Sequence, residues 1–417
     1  MKGINQLGNS EQWLKKNNIT NDSSYEDIIA SLEKSAVFYT NAFSDEFVAR
    51  GHESKEFWVD FELLQKKWAQ ENDIKFSTPN WMAEILIAQI LYFKPDIIYF
   101  QGAEWFLKDR LNKNCDFLKI IKSDCPSVKK TILYSGYPTF EKSIQNIDLL
   151  FCSPPSICNF YKKRGLNPIL LYHAFDKNIL NRISTKDQRK YDFTFAGSLR
   201  APESRYWMIR KLMSDTDLML WTKNDSEEYG LRFSMKTFLK NNLHKKLLLL
   251  NNINLSWLLP KKLTNTYNIF LDSKYYRYNL FEDFTKVKSL SKTYPDRCND
   301  PVYGIEMYKL LSNSLITLNM HTDKTNNEVA NIRMFEATGV GSCLVTDNGN
   351  NLNDLFEKDS ELVTYSSYDE AKEKISYLLN NPNQALQIAR AGQIKTLKNH
   401  TIGNRVEAID QHIQEII

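Results

Sequence analysis

Glu328, Arg333 and Glu336 are three side chains of the types that chemistry needs, set close together in the chain. A carboxylate can accept two hydroxyl hydrogen bonds at once. A guanidinium matches its planar fork to the oxygens of an anion. The two glutamates are separated by seven residues, across the point where a polar loop gives way to a helical pattern beginning near Asn331. Ahead of the loop, Ile316-Thr-Leu-Asn319 is a short apolar run that ends in an amide. After the helix, Gly339-Val-Gly341 marks a turn, and Cys343-Leu-Val-Thr-Asp347 is a second apolar run ending in a carboxylate. This is a strand–loop–helix–strand unit of the kind that builds a parallel sheet. Ligands of such sheets bind beyond the carboxyl ends of the strands, where a helix N-terminus offers its N–H groups.

The rest of the chain repeats that rhythm. Apolar runs at 95–100, 130–135, 148–152 and 167–172 alternate with helical patterns at 80–93, 105–122 and 153–163. Ser35–Tyr39 is a candidate first strand. These make a first domain over 36–176, preceded by a polar arm at 1–35. A charged stretch at 177–190 reads as a linker. A second domain opens with Tyr191-Asp-Phe-Thr-Phe-Ala196, closes that strand with Gly197-Ser198, and runs to about 400. Residues 222–300 break the alternation and read as a helical insertion, with a basic stretch at Lys236–Lys246. A final helix covers 401–417. The expected fold class is α/β, with parallel sheets.

Composition excludes several function classes. At 417 residues the chain is too long for one ordinary core. A net charge of +4 speaks against a nucleic-acid partner, while leaving room for peripheral contact with an anionic membrane. The first residues are polar and no run approaches a membrane span, so the expected location is cytoplasmic. The six cysteines contain no C-x-x-C pair and are expected to be idle thiols, Cys152 and Cys158 included. A dinucleotide oxidoreductase is excluded because no Gly-x-Gly-x-x-Gly follows the first strand.

One set of residues carries a family likeness. In order they are Gly197-Ser198, Asn319, Asn331-Ile-Arg333-Met-Phe335-Glu336-Ala337, Gly339-Val-Gly341 and Thr346-Asp347, then Leu355-Phe356, Ala389-x-x-Gly392, His400-Thr401 and Arg405. The set resembles the C-terminal domain of GT-B glycosyltransferases, nearest to the CgeB-like or "group 1" enzymes of bacterial glycan assembly. The resemblance is strongest over 300–412. It implies two Rossmann-like domains facing each other across a cleft. The donor nucleotide-sugar would sit on the C-terminal domain and a glycan or lipid-linked acceptor on the N-terminal one. It also implies that the final helix returns to the first domain, and that no metal or other cofactor is needed.

Glycosyl transfer must stabilise a leaving diphosphate and a developing oxocarbenium ion. Without a metal, helix-start N–H groups and Arg or Lys must meet that charge. The loop 326–333 supplies one helix start and Arg333; the Gly197–Ser198 turn supplies another, with Arg200 and Arg205 nearby. The resemblance gives Glu336 the ribose hydroxyls and places Glu328 near the donor sugar, although Val329-Ala330 stand where retaining relatives have Gly and Phe. The expected donor contacts are therefore Gly197, Ser198, Arg200, Asn319, Asn331, Arg333 and Glu336. The expected catalytic set is Glu328, Arg333 and Glu104, with Glu104 or His52 as the base of an inverting reaction. His173 reads either as a hinge histidine or as a donor contact. Glu336 paired with Arg333 on a helix surface, within a non-catalytic carbohydrate-binding scaffold, is the competing reading.

Overall fold

The computed structural model describes residues 1–2, 10–102, 117–139, 142–184, 189–199, 203–223, 243, 246, 278, 289–321 and 327–416. The chain divides into two compact units. The first joins Met1–Ile183 with Tyr303–Glu306 and Thr396–Ile417; the second joins Ser184–Val302 with Met307–Lys395.

The first unit holds four parallel strands in sequential order: β1 (Ile97–Gln101), β2 (Lys130–Ser135), β3 (Leu149–Cys152) and β4 (Pro168–Leu170). From Thr131 to Ser135 every residue of β2 is buried, as expected of an inner parallel strand covered on both faces. The segment read as an arm folds into this unit. Helix Tyr25–Ser35 begins with a capping box in which Ser24 and Asp27 each accept from the other's backbone N–H. It buries Tyr25, Ile28 and Leu32 against Trp58, Leu64 and Trp68.

Ser35–Tyr39 is not a strand. The helix ends at Ser35, and Ala36, Phe38, Tyr39 and Asn41 take φ of 48°, 45°, 57° and 54°, left-handed values that an extended chain excludes. Val37 and Tyr39 are nonetheless buried. The apolar run therefore reflects packing within turns, an ambiguity that short runs always carry. The cysteine expectation also needs correction: Cys152, at the end of β3, is joined to Cys158 in helix Pro155–Lys162 by a disulfide, with Cα atoms 5.7 Å apart.

The C-terminal helix Ile402–Ile416 lies in the first unit against helix Ala42–Val48. A Cβ at Gly403 would come within 3.1 Å of the Glu46 carboxylate, so the missing side chain permits the approach. Arg50 Nη2 donates to Gly403 O at 3.0 Å, and Phe175 exchanges backbone bonds with His400 and Ile402.

The second unit carries six parallel strands: β5 (Tyr191–Ala196), β6 (Met219–Trp221), β7 (Cys298–Asn299), β8 (Ser314–Asn319), β9 (Cys343–Asp347) and β10 (Val363–Tyr365). Their spatial order is β10-β9-β8-β5-β6-β7. The end of the stretch read as an insertion is described: helix Leu290–Thr293 and the 3-10 turn Pro295–Arg297 lead into β7. Residues 224–288 lie outside the described set apart from 243, 246 and 278. All residues of β8 and β9 are buried. From β5 the chain builds outward to β6 and β7, then returns to β8 on the other side of β5. That reversal puts a topological switch point between β5 and β8, where open α/β sheets bind ligands. Between β9 and β10 lies a single 3-10 turn, Leu352–Asp354. No described helix is long and apolar enough to cross a membrane.

Candidate functional site

The switch point in the second unit brings most of the sequence-selected residues together. β5 ends at Ala196, just before Gly197-Ser198, and β8 ends at Asn319. Arg205, on helix Glu203–Asp215, ties the two ends: Nη1 donates to Ser198 O at 2.9 Å and Nη2 to Met320 O at 2.6 Å. This guanidinium therefore serves the fold and shapes the crevice wall. Arg200 lies outside the described residues.

Asn319 is 3% exposed. It exchanges amide bonds with Asn331: Asn331 Nδ2 donates to Asn319 Oδ1 at 2.8 Å, and Asn319 Nδ2 donates to Asn331 Oδ1 at 3.2 Å. Asn319 Nδ2 also donates to Thr346 Oγ1 at 3.0 Å. Its carbonyl accepts from the buried Tyr365 hydroxyl at 2.8 Å. Burial, together with the nearby Asp347, pushes the Tyr365 phenol well above its ordinary pKa, so it stays a donor.

Asn331 is the N-cap of helix Ile332–Gly339, in extended conformation, yet its side chain makes no cap bond. Asparagine ordinarily caps with that group; here the amide is committed to Asn319 instead. The helix start thus carries positive dipole charge with no side-chain cap. Arg333 stands in the first turn, and its Nη1 donates to Glu336 Oε2 at 2.6 Å. The i,i+3 pair of the competing reading is therefore formed, with the two side chains 17% and 12% exposed.

The loop before the helix is fixed from one side. Val329 N donates to Asn351 Oδ1 at 2.8 Å, and Asn351 Nδ2 donates back to Val329 O at 2.7 Å. A Cβ at Gly349 would lie 2.5 Å from Val329 Cγ1, so the two loops touch only because position 349 has none. Glu328 is half-buried in that braced segment, next to Asn327 at φ 60°.

His321, absent from the sequence-selected set, is 2% exposed and sits among these residues. Asp347 Oδ1 accepts from its backbone N–H at 2.9 Å and from its Nδ1 at 2.8 Å. Its Nε2 accepts from the backbone N–H of Asn331 at 3.3 Å. Tyr278 is buried with its ring 5.9 Å from that of Tyr365.

The first-unit candidates fare differently. Glu104 lies outside the described residues. His52 Nε2 is 2.8 Å from Asp410 Oδ1 on the C-terminal helix. Ser135 is buried and bonds Tyr137 O and Tyr161 Oη, both at 2.7 Å. His173 faces the Tyr134 and Tyr39 hydroxyls at 3.3 and 3.5 Å, and Arg405 donates to its carbonyl. Burial, with the Arg405 charge, lowers the His173 pKa to about 4.

Comparisons with known proteins bear on the second unit and on the fold. Residues 274–411 match the family model described as "Glycosyl transferase-like". A search of curated proteins finds no match. Among solved structures, an alpha-glucosyltransferase in complex with UDP-glucose and abasic DNA aligns with a TM-score of 0.51 at 10% identity, covering 92% of this chain and 96% of that one. A glycosyltransferase from Rickettsia africae scores 0.48 at 10% identity, covering 90% and 93%. Anabaena HepE, solved with UDP and glucose, scores 0.48 at 9%, covering 84% and 88%. Residues 274–411 are thus similar to a glycosyl transferase-like family, and the chain has the GT-B fold.

Proposed function

We propose that this chain is a glycosyltransferase that takes its sugar from a nucleotide-activated donor bound at the β5–β8 switch point. The observation that carries the reading is the start of helix Ile332–Gly339: an N-cap whose side chain is turned away, with Arg333 in the first turn and Glu336 one turn on. The donor diphosphate would lie on the helix-start N–H groups and Arg333. The ribose hydroxyls would donate to the Glu336 carboxylate.

The Arg333–Glu336 pair is a charge-assisted hydrogen bond between largely buried side chains. A bound donor would replace it with phosphate on the arginine and hydroxyls on the glutamate, each again a hydrogen bond to a charged group, worth about 1.5–3 kcal/mol.

In transfer, Arg333 and the helix dipole stabilise charge building on the departing diphosphate. Glu328, in the braced loop, stands near the donor sugar, and Glu104 is the proposed first-unit base. The reaction is proposed to proceed without metal and to move a hexosyl or related group to a glycan, lipid-linked or other acceptor. Bacterial surface-polysaccharide or glycoconjugate assembly, by a CgeB-like enzyme at the cytoplasmic face of a membrane, fits that chemistry.

Glu336→Ala tests the donor site by isothermal titration with nucleoside diphosphates, UDP first. Losing the ribose bonds should weaken binding about tenfold to a hundredfold, with the circular dichroism spectrum unchanged. Unaltered affinity removes the ribose role.

A further inference from the structure

We propose that His321 is a positioning residue for the donor diphosphate. It would act as a neutral latch that sets the backbone N–H groups at the start of helix Ile332–Gly339. The inference rests on the donor-site reading above and adds a residue to it.

The hydrogen bonds define the ring's state. A carboxylate only accepts, so the contact from Asp347 Oδ1 requires a proton on Nδ1 of His321. A backbone N–H only donates, so the contact from Asn331 requires a lone pair on Nε2. The imidazole is therefore the neutral Nδ1–H tautomer, with both nitrogens committed. Thr346 Oγ1 donates to the same Asp347 oxygen at 3.3 Å, which orients the carboxylate.

The ring's place gives it leverage. It follows β8, is anchored to the end of β9, and grips the residue that opens the helix. Asn331 is thus held twice from the sheet edge, through its side chain by Asn319 and through its N–H by His321. The first tie turns the asparagine side chain away from the cap. The second orients the peptide plane that leads into the first turn. An anion gripped by N–H groups needs them aimed within a few tenths of an ångström. Loss of the latch should therefore weaken phosphate binding and spare contacts farther along the helix.

The test uses the full chain and four ligands: UDP and GDP, with uridine and guanosine as phosphate-free controls. His321→Asn can still donate to Asp347 but is too short to reach the Asn331 N–H. His321→Gln can present an acceptor to that N–H. His321→Asn should lose about tenfold or more in nucleoside diphosphate affinity with nucleoside affinity kept, and His321→Gln should recover most of the loss. Equal losses for diphosphate and nucleoside would make the residue merely structural and overturn the proposal. Wild-type diphosphate affinity in His321→Asn would overturn it while leaving the donor-site reading standing. No binding by the wild type of any of the four ligands, nor of CMP or dTDP, would take down both. Should His321→Asn fail to fold, 15N-histidine spectra of the wild type serve instead. The His321 Nε2 resonance should move on adding UDP but not uridine, and a resonance indifferent to UDP contradicts the latch.

Discussion

Arg333 is the first-turn cation of the candidate site, and its Nη1 donates to Glu336 at 2.6 Å. Each side chain thus keeps its partner positioned. The two should fail differently when removed. Glu336→Ala acts on the ribose and therefore on affinity, as argued above. Arg333→Ala acts on charge that grows as the diphosphate leaves, so it should lower kcat about tenfold to a thousandfold, more than it raises KM. Single-turnover transfer assays measure this, and an unchanged chemical step would exclude Arg333 from leaving-group stabilisation. At this scale the sequence was partly legible. Asn319, Asn331, Arg333 and Glu336 were readable because they lie on or beside elements with clear periodicity. His321 was not, because its meaning depends on Asp347, 26 residues away on the neighbouring strand. Only the pairing of β8 with β9 brings them together. Arg205 reads only as a cation near the Gly197–Ser198 turn, and the structure commits it to two carbonyls that sequence spacing does not show.

At the scale of elements, the strands that end at the candidate site were the most legible, because parallel strands buried on both faces leave continuous apolar runs. Turns were the least legible. The run Ser35–Tyr39 has a strand's composition, but its backbone is set by the left-handed end of the preceding helix. The segment after β4 shows another element-scale device. His173 is held between two tyrosine hydroxyls, and Arg405 donates to the carbonyls of Tyr172 and His173. Because its pKa is lowered from 6.5 to about 4, the unfolded chain binds its proton first as pH falls. The folded state then loses stability as pH drops through the window from 6.5 to about 4, and the effect is flat above it. Roughly 3 kcal/mol is the upper bound for such a group. His173→Gln should melt with a shallower pH dependence than the wild type between pH 7 and 4.5. Superimposable Tm–pH curves would contradict this account of the histidine.

At the scale of the molecule, two parallel sheets of four and six strands follow from the alternation of apolar and helical segments along the chain. Each unit is discontinuous in sequence, and the last residues rejoin the first unit. Local pattern cannot show that return. It came from family likeness, and in the structure Gly403 and its bond to Arg50 mark it. The central claim is that the second unit holds a nucleotide-activated sugar at its β5–β8 edge. A thermal-shift panel of UDP, GDP, CMP and dTDP with their sugar conjugates, run with EDTA present, tests it most directly. A ligand that binds only the folded state raises Tm by mass action, by about 2.7 kcal/mol of stabilisation at a hundred times its Kd. One nucleotide class should raise Tm without metal, and Glu336→Ala should shrink the rise at the same ligand concentration. A folded wild-type protein whose Tm is unmoved by millimolar concentrations of every compound would contradict it.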